Sequence, residues 1–192
     1  MFKINPLETI LWTFRRNEND VVNLYNTLSP VMQLATGDSM LNFGYWCSDD
    51  TSPIVAQNRL CDMVGKLAVL DSANSLLDIG SGLSSPAIMW ARLYPDIGIS
   101  CVNINYNQLQ LAQKTVDEKI SNQRIHEINS TSTMLPLLSN SIERIIALES
   151  AQHFKPFDNF VSESYRVLKK NGIFTFAIPV VKKKSSIKNL GI

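Results

Sequence analysis

Apolar and polar positions fall into two regimes along the chain. Over roughly the first 72 residues the apolar positions recur at helical spacing. In ETILWTFRRNENDVVNLYNTL, the residues Ile10, Leu11, Phe14, Val21, Val22, Leu24, Tyr25 and Leu28 follow a period nearer about 3.6 than about 2. The pattern breaks near Asn17–Asn19, and Gly37-Asp38 marks a turn. MLNFGYW, aromatic and glycine-containing, reads as an ordered loop. SPIVAQNRLCDMVGKLAVL returns to helical period, with Ser52 as N-cap and Pro53 at the first helical position. From Ser75 onward short apolar runs alternate with helical stretches. The runs are SLLDI, IGISCVNI, RIHEI, IERIIAL and IFTFAI. Between them lie helices over Ser85–Leu93, from Asn107 to about Ile120, and over FDNFVSESYRVLKK up to the stop at Asn171-Gly172. This alternation predicts an α/β fold: a Rossmann-like, doubly wound sheet of five parallel strands with right-handed crossovers. The chain divides into an N-terminal helical cap or lid (1–72), a Rossmann-like domain (73–180) and a lysine-rich tail (181–192).

Composition narrows the function classes. Of 192 residues, 45% are hydrophobic and 18% charged, which is globular usage and excludes wholesale disorder. A formal net charge of +1 argues against a nucleic-acid binder. Three scattered cysteines, Cys47, Cys61 and Cys101, form neither a disulfide framework nor a CxxC zinc pair. Two histidines, His126 and His153, are too few for a histidine-rich metal site, so no metal is expected. No apolar run approaches the roughly 18 residues of a membrane span. The N-terminus lacks a basic region followed by an apolar core, so a cytoplasmic setting is the default expectation.

The chemistry concentrates in LLDIGSGLSSPA, where a hydrophobic strand runs into Gly80, Ser81 and Gly82 and then a helix. Glycines there permit a tight turn and close backbone approach to a ligand. In an open parallel sheet such a loop lies beyond the carboxyl ends of the strands, where ligands bind. Gly80-x-Gly82-x-x-Ser85 alone also fits a dinucleotide. Asp78 argues otherwise, because a carboxylate facing the turn repels a pyrophosphate but suits a cation. A sulfonium that bears an amino group is such a cation.

Four segments together resemble the class I S-adenosylmethionine-dependent methyltransferases. MLNFGYW is similar to an NxGYW motif, and LLDIGSGLSS to the E/DxGxGxG loop, with Ser84 in place of a third glycine. CVNINYNQLQLAQK is similar to GISISxxQxxxA, and ALESAQHFKPFDNFVSESYRVLKKNGIFTFAI to an ExxxHF…RVLKPGG block. The resemblance runs from about Leu41 to Pro179. It points to the small-molecule group that includes sugar and macrolide O-methyltransferases, rebeccamycin-type glycoside methyltransferases and phosphoethanolamine N-methyltransferases. It implies S-adenosyl-L-methionine as cofactor, held by Asp78, Gly80, Ser81, Gly82, Asn103, Ile104, Gln108, Thr131 and Ser132. Thr131 stands where an aspartate is usual. Glu149 borders the methyl-transfer centre in this reading, Tyr45 and Trp46 close over the cofactor, and His153 is the base for a hydroxyl acceptor. Methyl transfer needs alignment above all, and histidine titrates near the working pH.

Plainer readings stand beside these. Asp78 also fits a turn residue, His153 and the two aromatics fit packing roles, and Asn103 and Gln108 fit a strand end and a helix start. Full relatives have seven strands in the order 3-2-1-4-5-7-6, and only five are legible here. Strand 5 is then an apolar edge, which a second copy or another partner would cover. The main expectation is a small-molecule methyltransferase, O-acceptor preferred. The alternative is a truncated, non-catalytic module that binds cofactor or a partner. A nicotinamide-dinucleotide domain predicts an acid near residue 103, where Asn103 stands.

Overall fold

The computed structural model describes residues 17–47, 52–120 and 124–180. Residues 1–16, with Ile10 to Phe14 of the predicted helical stretch, and the lysine-rich tail 181–192 lie outside the described residues. Helix α1, Glu18–Thr36, starts where the pattern breaks. Asn17 Oδ1 accepts the Asp20 N–H at 3.1 Å while Asp20 Oδ2 accepts the Asn17 N–H at 3.2 Å, a reciprocal cap. The helix ends at Gly37, whose φ of 74° is the left-handed conformation that glycine adopts without strain. Helix α2, Pro53–Leu67, carries Pro at its first position and the Ser52 cap on Val55 N–H.

The sheet comprises β1 (Ser75–Ile79), β2 (Gly98–Asn103), β3 (Ile125–Asn129), β4 (Ile142–Leu148) and β5 (Leu168–Ala177). Its order is β3-β2-β1-β4-β5 and every pair is parallel, as the strand–helix alternation predicts. Three helices complete the fold: α3 (Ser85–Leu93), α4 (Tyr106–Lys119) and α5 (Phe157–Val167). The period-2 alternation of side chains sends two apolar sets to opposite faces. Leu76, Ile99, Ile125, Ile146 and Leu148 pack with α2, α3 and α4 around the fully buried Trp90. Leu77, Ile79, Val102, Ile145 and Ala147 pack with α5 around Phe160, which meets Phe154, Phe157 and Phe174 edge-on.

Two connections depart from the simplest pattern. The helical period of FDNFVSESYRVLKK predicts a helix to Lys170, but α5 stops at Val167. Asn140 and Ser141 N–H groups bond to the Arg166 and Val167 carbonyls, so the chain joins the sheet there instead of continuing the helix. The register then slips: Ile142 faces Leu168 while Arg144 faces Ile173, and the extra residues bulge out at Asn171-Gly172. Residues 130–141 link β3 to β4 without a helix. Leu135 and the partly buried Leu137 plug this segment into the Phe160 cluster. Arg166 ties it down, donating to the Leu135 and Leu137 carbonyls at 2.9 and 2.8 Å while pairing with Glu163. Among the described residues, β5 pairs with β4 alone.

Candidate active site

A cavity of about 980 Å³, open mouth included, lies beyond the carboxyl ends of β1, β2 and β4. Its floor is Asp78–Leu83, which turns from β1 into α3. Gly80 has φ 78° and Gly82 φ 59°. A Cβ on Gly80 would collide with the Ser150 side chain, meeting its Oγ at 2.8 Å. The glycine therefore serves both the turn and the close approach of the β4 end. One wall is α1, which presents Glu18, Val21 and Tyr25. A second is the loop after α1, with Ser39, Leu41 and Asn42. Gln57 of α2 pins that loop by donating to the Met40 and Asn42 carbonyls at 3.1 and 2.7 Å. The third wall is the end of β4, from Leu148 to Phe154.

Polar groups in this cavity are short of partners. Among the described residues, Asp78 Oδ2, Asn42 Oδ1 and Ser81 Oγ are buried with none. Burial pushes the Asp78 carboxyl up to about 8, and the Glu127 charge adds to the rise. Unsatisfied acceptors around one spot suit a ligand rich in N–H donors. Across the cavity, the Tyr25 hydroxyl lies 3.0 Å from His153 Nε2, with the rings edge-on at 5.5 Å. The Gln152 amide nitrogen donates to the Glu149 carbonyl at 2.6 Å and lies 3.4 Å from the same Nε2. Glu149 sits at φ 51°, and its Oε2 accepts the Phe43 N–H at 2.6 Å, joining β4 to the aromatic loop. Burial raises the Glu149 carboxyl above its usual range, partly offset by that bond.

A family model described as a methyltransferase domain matches residues 77–176, more than half of the chain. The chain belongs to the methyltransferase-domain family. The erythromycin 3''-O-methyltransferase of Saccharopolyspora erythraea is 23% identical over 163 residues, 85% of this chain and 53% of that protein. The 27-O-demethylrifamycin SV methyltransferase of Amycolatopsis mediterranei is 25% identical over 154 residues, 80% of this chain and 56% of that protein. The chain thus spans about half the length of the curated relatives it matches. The crystal structure of the [4+2]-cyclase SpnF superposes with a TM-score of 0.78 at 28% identity, covering 84% of this chain and 60% of that one. The crystal structure of a Galdieria sulphuraria protein shares the fold, with a TM-score of 0.72 at 18% identity, covering 77% of this chain and 58% of that one. S-adenosylmethionine is the methyl donor of this family, and the unpartnered acid and glycine turn fit its amino-acid end.

The cavity of the methyltransferase domain gathers most of the sequence-predicted residues. Asp78, Gly80, Ser81, Gly82, Asn103, Ile104, Gln108, Ser132, Glu149 and His153 all line it. Asn103 and Gln108 bond to each other at 2.8 Å, and Asn103 also donates to the Gly82 carbonyl. They brace the glycine turn as well as facing the cavity. Three predicted residues are not brought to the lining. Thr131 bonds to Glu18 and Thr133. Tyr45 and Trp46 are about half exposed, and Trp46 Nε1 donates back to the Phe43 carbonyl, which holds the indole on the surface. Leu41 and Asn42 are what that loop sends inward. Sequence reasoning missed Glu18, Val21 and Tyr25. Their spacing along one helical stripe was a readable signal for a shared face, though not for what that face covers.

Among the described residues no group of His, Cys, Asp or Glu is arranged to hold a metal ion, and no helix is long and apolar enough to cross a membrane.

Proposed function

We propose that this chain carries methyl transfer from S-adenosylmethionine to a small-molecule acceptor, preferably at a hydroxyl. One observation carries the reading: an unpartnered, buried Asp78 and a base-competent His153 line the same cavity. Asp78, with the Asn42 and Ser81 oxygens, takes the cofactor's ammonium. Asn103 Oδ1 and Gln108 face the ribose, and the Ser132 segment borders the adenine. The N-terminal helical segment acts as the lid, through α1 and the loop pinned by Gln57. Tyr45 and Trp46, set at its rim, close over the site only if that loop moves.

S-adenosylmethionine, when bound, supplies an electrophilic methyl on its sulfonium sulfur. The chain's residues align the acceptor and take its proton. His153 Nε2, in the tautomer that leaves this nitrogen without a proton, receives the hydroxyl proton as the oxygen attacks. The Tyr25 hydroxyl at 3.0 Å fixes the ring beforehand and yields its place to the acceptor oxygen. A second cavity, lined by Asn17, Asn19, Gln152, Lys155 and Pro156, shares Glu18, Val21 and His153 with the first. It gives the acceptor its way in. The named activities of the macrolide and rifamycin relatives support an O-acceptor.

The test is His153→Ala, read by calorimetry with S-adenosylhomocysteine and by methylation of an acceptor panel built on demethylated macrolides and ansamycins. Cofactor affinity is retained and turnover falls roughly 10²–10⁴-fold, the usual weight of a general base. Unchanged turnover removes His153 from the mechanism. The edge of β5, which pairs with β4 alone among the described residues, favours a second reading, a cofactor-binding module completed by a partner at that edge. Methylation of any acceptor by the isolated chain excludes it.

A further inference from the structure

Three consecutive strands place Asp78, Cys101 and Glu127 directly beside one another. Asp78 is in register with Cys101, and Cys101 with Glu127, so their side chains leave the same face of the sheet. At one strand spacing per step, Asp78 and Glu127 stand about 9–10 Å apart at the backbone. The other neighbour of Asp78 in the sheet is Ile146, which offers no hydrogen bond. Helix α3 starts above this row with Ser84 at φ 55°, where the family's pattern has a glycine. Among the described residues, Asp78 Oδ2, both Glu127 carboxyl oxygens, Ser81 Oγ and Ser84 Oγ are buried without hydrogen-bond partners. Asp78 is 2% exposed and lines the cavity, whereas Glu127 does not reach it.

Resting on the cofactor-binding reading above, we infer that Glu127 is a positioning residue for Asp78. It is a second carboxyl that keeps Asp78 protonated in the empty site, so that capture of the cofactor's ammonium releases a proton. The step balances simply. The Asp78 O–H bond breaks, its proton leaves to solvent, and the carboxylate left behind pairs with the incoming cation.

Each group packed on Asp78 agrees with this direction. Burial lifts Asp78 to about 8, and Glu127 is the one charge among the described residues that acts on it. Burial lifts Glu127 to about 7, and the neighbouring Ser84 hydroxyl offsets part of the rise. From β2, the Cys101 thiol is pushed well above its ordinary value by burial and then by both acids, so it stays neutral. From α2, Cys61 is pushed up to about 12, again chiefly by burial and then by Asp78. Glu149 adds a further negative group on the β4 side, acting on Cys61. Ser81 and Ser84 are neutral. Two acids in one dry compartment cannot both ionise cheaply. A cation supplied by the ligand removes that conflict.

The experiment is titration calorimetry of the full chain with S-adenosylhomocysteine between pH 6 and pH 8.5, in buffers of different ionisation enthalpy. Glu127→Gln is the variant. In the wild type, affinity rises up to roughly 50-fold between pH 6 and pH 8, the limit for a single group that titrates near 8. Binding at pH 7 releases most of one proton. In Glu127→Gln the rise moves to lower pH, affinity at pH 7 tightens, and fewer protons leave. A wild-type affinity independent of pH overturns the proposal, as does a pH profile that Glu127→Gln leaves in place. Absence of binding by the folded wild type overturns the cofactor reading itself. Should Glu127→Gln fail to fold, carboxyl-carbon NMR of the wild type decides. Coupled, two-step titration of Asp78 and Glu127 that collapses on adding ligand supports the proposal. Two independent titrations in the ordinary carboxylate range overturn it.

Discussion

Gln57→Leu tests whether the cavity is held open by its pinned loop. Gln57 is 2% exposed in α2, and its amide nitrogen satisfies the carbonyls of Met40 and Asn42, both on buried residues. Leucine keeps the volume and removes both donors. Each hydrogen bond contributes about 1 kcal/mol net, and each carbonyl left buried and unpaired costs about 1–3 kcal/mol. One gain offsets this: Gln57 Oε1 is itself buried without a partner among the described residues, and leucine removes it. The balance is a loss of about 2–4 kcal/mol. At roughly 2–4 °C per kcal/mol for a chain of this size, the melting midpoint falls about 5–15 °C. The functional effect has a second origin. The freed segment carries Leu41 and Asn42 into the cavity and gives the Phe43 N–H to Glu149. Affinity for S-adenosylhomocysteine therefore drops about tenfold or more, even at temperatures where the variant is fully folded. Differential scanning fluorimetry and calorimetric titration at 15 °C measure the two effects separately. A midpoint within 2 °C of the wild type, together with unchanged affinity, would refute the argument, because the loop would then be held by its other contacts.

Further predictions follow from the same geometry. Gly80→Ala places a Cβ against Ser150 at a φ of 78°, and Ser150 Oγ loses its 2.6 Å bond to the Ile79 carbonyl. Left-handed strain of about 1–2 kcal/mol adds to that loss, so thermal stability falls and ligand titration heat disappears. Asp78 and Glu127 hold protons in the folded chain, up to about 8 and about 7, that the unfolded chain releases near 4. Stability of the ligand-free protein therefore declines as pH rises from about 5 to 8 and levels off above, and a midpoint that climbs over that range contradicts the assignment. The depressed Glu143 and Glu163 carboxyls act with the opposite sign, but only at lower pH. Iodoacetamide at pH 8 alkylates the exposed Cys47 in the native protein and spares Cys61 and Cys101, as peptide mass mapping will read.

The sheet and the glycine turn were legible because their signals are local. SLLDI is an apolar run that stops at a glycine, and both facts sit within a few residues of each other. The break near Asn17–Asn19 was legible, and the Asn17–Asp20 cap that opens α1 there lies within one turn. The end of α5 was not. Its helical period continues past Val167, and what cuts it is a pair of hydrogen bonds from Asn140 and Ser141, far back in the chain. The cavity wall from α1 was hidden similarly: Tyr25 meets His153 across 128 residues of sequence. The aromatic loop misled in a different way. Tyr45 and Trp46 carry the visible chemistry, but Gly44, at a left-handed φ and packed on Ala56, separates them from Leu41 and Asn42, which line the cavity while Phe43 is exposed.

The helix-free segment between β3 and β4 gives the molecule a seam. Its tip at Leu138 is exposed, and its anchors are two leucines and the Arg166 tie. A backbone break at that tip leaves every strand and helix of the described residues whole and divides the protein into two pieces that rejoin along the β1–β4 ladder. The glycine turn and Asp78 belong to the first piece; Glu149 and His153 belong to the second. The cavity exists only where the pieces meet. Fragment complementation at this seam would thus be a sensor: ligand that fills the cavity pulls the halves together, and their reassembly reports its concentration.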